Sequence, residues 1–135
     1  MKLLILGGTR FLGRVLVEDA LPRGHELTLF NRGRTNAHLF PEVEQIRGDR
    51  TESLDPLAGR EWHVVVDVAT FIPRVARLSV DALRGRVGRY VYISSISVYA
   101  DQSVPPVEGA CVAALEDPED ESDSHRLLCR SYSMG

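Results

Sequence analysis

Hydrophobic positions along the first hundred residues alternate between uninterrupted runs and runs with helical spacing. Residues 3–6 are all apolar, as in a strand that is buried on both faces. Gly7 and Gly8 end this run, and apolar residues then recur with helical spacing until the proline–glycine corner at 22–24. The pattern predicts a first strand, a glycine turn and a helix over residues 11–23.

Four more apolar runs follow at intervals that leave room for helices. The predicted strands are residues 25–31, 43–46, 64–68 and 90–95, with a short helix or turn at 53–57 and a helix from Pro73 to Leu83. Strands that alternate with helices favour a parallel sheet. With right-handed crossovers, the prediction is an α/β, Rossmann-like, doubly wound sheet of strand order 3-2-1-4-5.

The composition excludes several classes of protein. Hydrophobic residues make up 44% and charged residues 26% of the 135 residues, as in a globular domain. No apolar run reaches the ~20 residues of a membrane span and no leader precedes the first strand, so we expect a cytoplasmic protein without a membrane partner. The four histidines and two cysteines are scattered, and no metal site is expected.

Charge is distributed unevenly along the chain. Residues 1–99 carry 14 basic and 11 acidic side chains, although the whole chain has a net charge of −3. A mildly positive body suits a phosphate-bearing ligand, but it is not basic enough to require nucleic acid.

The glycine turn carries the strongest chemical signal. Glycines at 7, 8 and 13 lie between the first strand and the first helix, and Arg10 takes the place of a middle glycine. Missing side chains let a pyrophosphate approach the backbone, and the N–H groups and dipole of the helix face the anion. A tight turn without a ligand would show the same spacing.

The end of the second strand is where a dinucleotide-binding sheet meets the adenosine ribose, about 20 residues after the glycine turn. This chain has Asn31-Arg32-Gly33-Arg34 there, without an acidic residue. Arginines at this place can pair with a 2′-phosphate, so the sequence favours NADP, with NAD as the alternative. Solvated arginines in a loop are the other interpretation.

Polar residues also follow the later strands. Asp49 follows the third strand and could accept a hydrogen bond from an adenine amino group or cap the next turn. Ala69 and Thr70 follow the fourth strand, at the edge where ligands bind in open α/β sheets. Ser94 and Ser95 end the fifth strand, either facing a ligand or capping the strand end.

Four segments together resemble the extended short-chain dehydrogenase/reductases, and more narrowly the NAD-dependent epimerase/dehydratase family. They are Gly7-Gly-Thr-Arg-Phe-Leu-Gly13, Asn31-Arg32, Gly48-Asp49 and Ser94-Ser-Ile-Ser-Val-Tyr99. The arginine inside the glycine motif is similar to an atypical branch that contains reductases and chloroplast stem-loop RNA-binding proteins. The resemblance covers residues 1 to about 118 and looks like the amino-terminal fragment of such a protein.

The resemblance implies a bound nicotinamide dinucleotide. The glycine motif would surround the pyrophosphate, Arg32 the ribose phosphate and Asp49 the adenine, while residues 68–70 would line the adenosine and nicotinamide side. The implied cofactor-binding residues are Gly7, Gly8, Thr9, Arg10, Phe11, Leu12, Gly13, Asn31, Arg32, Asp49, Val68, Ala69, Thr70 and Ser94.

The resemblance also implies a catalytic serine and tyrosine. Ser95, four residues before Tyr99, would hydrogen-bond the reacting oxygen. The family adds a Tyr-x-x-x-Lys pair, for which Tyr132 is the candidate tyrosine, but Lys2 is the single lysine of this chain. A tyrosine needs a cationic neighbour to act near neutral pH, so enzymatic activity is uncertain and we expect these residues alone to be inactive.

The expected organisation is a dinucleotide-binding Rossmann domain over residues 1–99, followed by an irregular acidic loop and an incomplete active-site segment over residues 100–135. Six of the eight residues from Glu116 to Asp123 are acidic, which is typical of a solvated loop. The expected function is that of an epimerase/dehydratase-like reductase acting on a small carbonyl or sugar-type substrate. A non-catalytic module that binds RNA through its arginines is the alternative.

Overall fold

A five-stranded parallel sheet with strand order β3-β2-β1-β4-β5 forms the centre of the computed structural model. The structure describes residues 1–68, 70, 72–101 and 103–112. The strands are β1 Lys2–Leu6, β2 Glu26–Asn31, β3 Glu44–Arg47, β4 Trp62–Asp67 and β5 Val87–Tyr92. The α-helices are α1 Phe11–Ala20 and α2 Pro73–Leu83, and short 3-10 helices span Asp55–Leu57 and Ile96–Val98. The predicted fold class and strand order are confirmed.

The central strand β1 explains why the sheet has two apolar faces. It pairs with β2 on one side and β4 on the other, and successive side chains point to opposite faces. Leu4 and Leu6 pack in a buried cluster with Trp62, whereas Ile5 packs in a second cluster with Val17 of α1. A strand covered on both faces needs the uninterrupted apolar run seen in the sequence.

Two elements differ from their predicted bounds. Strand β5 begins at Val87, three residues before the predicted start, because Val87 pairs with Trp62 and the backbone N–H of Trp62 donates to the carbonyl of Arg86. It ends at Tyr92, where its pairing with β4 ends, so the prediction that Ser94 and Ser95 end the strand is wrong. Helix α1 ends at Ala20 rather than at residue 23, because the chain turns where the N–H of Gly24 donates to the carbonyl of Leu21. The other predicted strands and helices agree with the structure to within two residues at each end.

The chain divides into two compact units. The first consists of residues 1–69 and 78–93 and contains the whole sheet, α1 and the later part of α2. The second consists of residues 70–77 and 94–135. Its described part contains the start of α2, the Ile96–Val98 3-10 helix and an antiparallel bridge between Tyr99 and Val112. The division of function at residue 99 stays a prediction.

Neither helix in the described part of the chain has the length and apolar character needed to cross a membrane. Among the same residues, no group of three or more His, Cys, Asp or Glu side chains is arranged to hold a metal ion.

Candidate functional site

The glycine turn leads the backbone from β1 directly into α1. Gly7 and Gly8 have φ angles of 117° and 100°, which residues other than glycine rarely adopt. The N–H of Gly7 donates to the carbonyl of Phe30 at 2.9 Å, which ties the turn to β2. A Cβ on Gly13 would lie 2.7 Å from the nitrogen of Gly8. The first turn of α1 therefore rests on the backbone of the glycine turn.

Helix α1 begins without a side-chain cap. Arg10 occupies the N-cap position in an extended conformation and makes no capping hydrogen bond, and the first turn contains no acidic side chain. Phe11 follows with a φ of 35° and 92% of its surface exposed. Because nothing acidic neutralises the positive end of the helix dipole, the first N–H groups remain suited to an anion.

The turn after β2 is shaped by an asparagine. Asn31 Oδ1 accepts a hydrogen bond from the N–H of Gly33 at 2.8 Å. Its Nδ2 atom is buried and has no hydrogen-bond partner among the described residues. Buried amide groups are normally satisfied, so this unpaired donor is an exception in the turn.

Asp49 lies beside the arginines of this turn. Its Oδ2 is 4.0 Å from Nη1 of Arg32, and its Oδ1 accepts hydrogen bonds from the N–H and hydroxyl of Thr51 at 3.0 and 2.7 Å. These bonds lower the pKa of the Asp49 carboxyl, and the charges of Arg32 and Arg34 add to the effect. The turn-capping contact is therefore present, and the adenine contact stays a prediction.

A buried ion pair that the sequence did not predict joins the loop after β3 to the end of β4. Arg50 donates through Nη1 and Nη2 to the two carboxylate oxygens of Asp67 at 2.7 and 2.5 Å. The side chain of Asp67 is fully buried, and that of Arg50 is 12% exposed. Nη2 also donates to Oγ of Ser79 at 2.7 Å, and the hydroxyl of Tyr90 donates to Oδ2 of Asp67 at 2.8 Å. A bidentate guanidinium is the partner that suits a buried carboxylate best.

Burial and the charges of this ion pair shift the pKa values of the groups around it. Burial disfavours the charged form of Arg50, but the hydrogen bonds and charge of Asp67 outweigh it and raise the pKa of the guanidinium. Burial and then the negative charge of Asp67 raise the pKa of the Tyr90 hydroxyl, and the same causes raise the pKa of Tyr92 to about 12. Both tyrosines stay protonated near neutral pH, so neither replaces a catalytic tyrosine of lowered pKa.

The remaining predicted site residues fall into three groups. Val68 belongs to the first unit. Its Cγ2 lies 3.0 Å from the position of an ideal Cβ on Gly13, beside the glycine turn. Thr70, which is buried, and the exposed Ser94 and Ser95 belong to the second unit. Ala69 and Tyr132 lie outside the described residues.

The first unit thus brings most of the predicted cofactor residues to the carboxyl ends of β1, β2, β3 and β4. Thr9 is buried between the glycines, and its carbonyl accepts a hydrogen bond from Nδ2 of Asn36 at 2.8 Å. Leu12 lies in the first turn of α1 and is partly buried.

Asp67, directly after a β-branched run, was the one sequence signal for the missed ion pair, since a charge inside a buried strand needs a partner.

Comparison with known proteins finds the same fold in larger enzymes. The chain superposes over 96% of its length on UDP-glucuronic acid 4-epimerase from Bacillus cereus in complex with NAD, with a TM-score of 0.69 and 18% sequence identity, and covers 50% of that chain.

Two curated relatives match in sequence. The chain is 28% identical, over 98% of its length, to the chloroplast stem-loop binding protein of 41 kDa b from Arabidopsis thaliana. It is 32% identical, over 81% of its length, to the 2-alkyl-3-oxoalkanoate reductase of Stenotrophomonas maltophilia. The chain spans 38% and 37% of the length of these relatives. No family model matches the chain.

The buried ion pair generates a prediction about stability. Arg50→Ala leaves the buried carboxylate of Asp67 without its cation, so we expect the free energy of unfolding to fall by about 3–5 kcal/mol in urea denaturation. Arg84→Ala is the matched control, since Arg84 pairs with Asp81 at 2.8 Å on the surface and should cost less than about 1 kcal/mol. Equal losses in the two variants would contradict the role assigned to Arg50.

Proposed function

We propose that this chain, which has the Rossmann fold of the NAD-dependent epimerases and dehydratases of the extended short-chain dehydrogenase/reductase family, forms a nicotinamide dinucleotide-binding domain. The glycine turn is the observation that carries the proposal. Its backbone lies against the start of an uncapped helix without acidic residues. That arrangement favours an anionic pyrophosphate over a side chain at this position.

The second support for the proposal is the end of β2. A buried amide donor of Asn31 has no partner among the described residues, and the exposed guanidinium of Arg32 lies next to it in sequence. In this fold the adenosine ribose binds at the end of the second strand. A ribose or phosphate oxygen at this place would accept hydrogen bonds from the exposed guanidinium of Arg32, so the end of β2 fits the adenosine half of a dinucleotide.

In this proposal each segment of the site has its own role. Backbone groups of residues 7–13 hold the pyrophosphate, Asn31 and Arg32 hold the adenosine ribose and its phosphate, and Asp49 contacts the adenine. Val68, Ala69, Thr70 and Ser94 would line the rest of the cofactor, as the family resemblance implies. The bound dinucleotide would donate or accept a hydride, as nicotinamide cofactors do.

We infer a preference for NADP over NAD from the same turn. A site that prefers NAD usually places a carboxylate where the ribose 2′-hydroxyl binds. Here β2 ends in Asn31, and the following residues include Arg32 and Arg34. Guanidinium groups attract a 2′-phosphate and form bidentate hydrogen bonds with it.

The proposed lineage is that of a reductase or epimerase acting on a small carbonyl or sugar-type molecule. Ser95 would orient the reacting oxygen, and Tyr132 would exchange the proton. Lys2, the single lysine, is the first residue of β1, whereas the glycine turn follows the last residue of that strand. It therefore lies at the amino end of the strand, away from the glycine turn, and cannot lower the pKa of a tyrosine near the cofactor.

The arginine turn predicts the cofactor preference. We expect NADP⁺ to bind more tightly than NAD⁺ in calorimetric titrations, and Arg32→Ala to weaken NADP⁺ binding by about 1.5–3 kcal/mol, because a charge-assisted bidentate pair is lost. Arg89→Ala is the control, since Arg89 is exposed on β5 at the other edge of the sheet. Equal affinities for the two cofactors, unchanged in Arg32→Ala, would contradict the preference.

The missing lysine predicts the catalytic outcome. We expect the purified 135-residue chain to show little or no oxidation of NADPH, followed by absorbance, with a panel of carbonyl compounds and nucleotide sugars. Turnover that disappears in Ser95→Ala or Tyr132→Phe would contradict this expectation and would show that catalysis here does not need the family's lysine.

A second candidate function is RNA binding, which the sequence relation to the chloroplast stem-loop binding protein favours. The two functions differ in their dependence on salt. RNA affinity falls steeply with rising salt, in proportion to the number of phosphates contacted. We expect only weak, salt-sensitive association with a stem-loop RNA in gel-shift titrations. Tight binding at physiological salt that weakens steeply as the salt concentration rises, and that NADP⁺ does not affect, would favour the RNA-binding module.

A further inference from the structure

We propose that Arg47, the last residue of β3, supplies a further guanidinium to the 2′-phosphate of the cofactor, so that the ends of two strands set the preference for NADP. This inference rests on the proposed function of the site. It extends the phosphate contacts from the turn after β2 to a residue for which the sequence pattern suggested no role.

The strand register places Arg47 beside the ribose end of the site. Arg47 pairs with Asn31 across the parallel strands β3 and β2. The N–H of Gly48 then donates to the carbonyl of Asn31 at 3.1 Å, which holds the two strand ends together. Arg47 is therefore anchored to the residue that ends β2, directly before Arg32.

The side chain of Arg47 packs on the arginine turn. The position of an ideal Cβ on Gly33 lies 3.1 Å from both Cζ and Nε of Arg47. Gly33 has a φ of 66°, so the turn both favours glycine and leaves its surface uncovered for the guanidinium. The cationic group of Arg47 thus lies against the backbone segment that connects Arg32 to Arg34.

The charge of Arg47 has no counterion in the described part of the chain. Arg32 has Asp49 at 4.0 Å, whereas the exposed side chain of Arg47 makes no ion pair or hydrogen bond with the described residues. An uncompensated guanidinium beside a partly compensated one creates a positive potential at the turn. The 2′-phosphate of NADP would supply the missing negative charge and lower the free energy of this arrangement.

The chemistry of the two groups matches. A phosphate monoester carries a charge of about −1.5 to −2 near neutral pH and three acceptor oxygens, more than one guanidinium can satisfy. Each guanidinium presents donors in a rigid, planar fork. Arg32 precedes Gly33 and the guanidinium of Arg47 lies against Gly33, so each of the two groups would bind a different pair of the phosphate oxygens. NAD has a hydroxyl in place of this phosphate, so Arg47 should not affect its affinity.

Calorimetric titration of folded variants with NADP⁺ and with NAD⁺ tests the inference. We expect Arg47→Ala to weaken NADP⁺ binding about tenfold or more and to leave NAD⁺ binding unchanged. Arg47→Lys should retain part of the preference, since it keeps the charge but loses the fork. The difference between Arg47→Ala and the unchanged protein should shrink as salt screens the phosphate contact.

Arg89→Ala is the matched control, because it removes another exposed strand arginine at the opposite edge of the sheet. Arg47→Ala that behaves like Arg89→Ala, or that weakens both cofactors equally, would overturn the role of Arg47 while leaving a dinucleotide site intact. Failure of the unchanged protein to bind either cofactor would overturn the proposed function and this inference together. Thermal unfolding of each variant verifies that the compared proteins are folded.

Discussion

The carboxylate of Asp67 is the group on which the arrangement around the site depends. It ends β4 with no exposed surface, and an unpaired charge there would cost several kcal/mol of desolvation. Arg50 compensates it with two hydrogen bonds and is held in turn by Ser79, while Tyr90 adds a third donor to the carboxylate. Elements far apart in the chain are thereby fixed around one buried charge.

The buried ion pair also restrains the loop after β3, which contains Asp49. Arg50 follows Asp49, so fixing Arg50 also limits where Asp49 can lie. Asp49 in turn faces Arg32 at 4.0 Å and caps its own loop through Thr51. A structural ion pair and a candidate ligand contact thus share one short loop. Loss of the first would disturb the second, even though Arg50 itself need not contact the cofactor.

The two halves of the proposed cofactor site differ in the groups that would bind the ligand. The proposed pyrophosphate half consists of backbone: glycines with positive φ, a helix that rests on them and N–H groups without a side-chain cap. The proposed adenosine half consists of side chains, and its charges come from the ends of β2 and β3. Backbone donors would face the pyrophosphate, which NAD and NADP share. Any preference between NAD and NADP would therefore come from the side chains.

The sequence alone determined the glycine turn, the order of the strands and the arginines after β2, because each depends on neighbouring residues or on general rules of chain connection. It placed both ends of β5 and the end of α1 wrongly, because strand pairing and a local turn decide those bounds. Only the tertiary structure decided that Arg50 meets Asp67, 17 residues away, and that Arg47 covers Gly33. Such contacts arise from strand register and burial, which bring together residues that no local pattern relates.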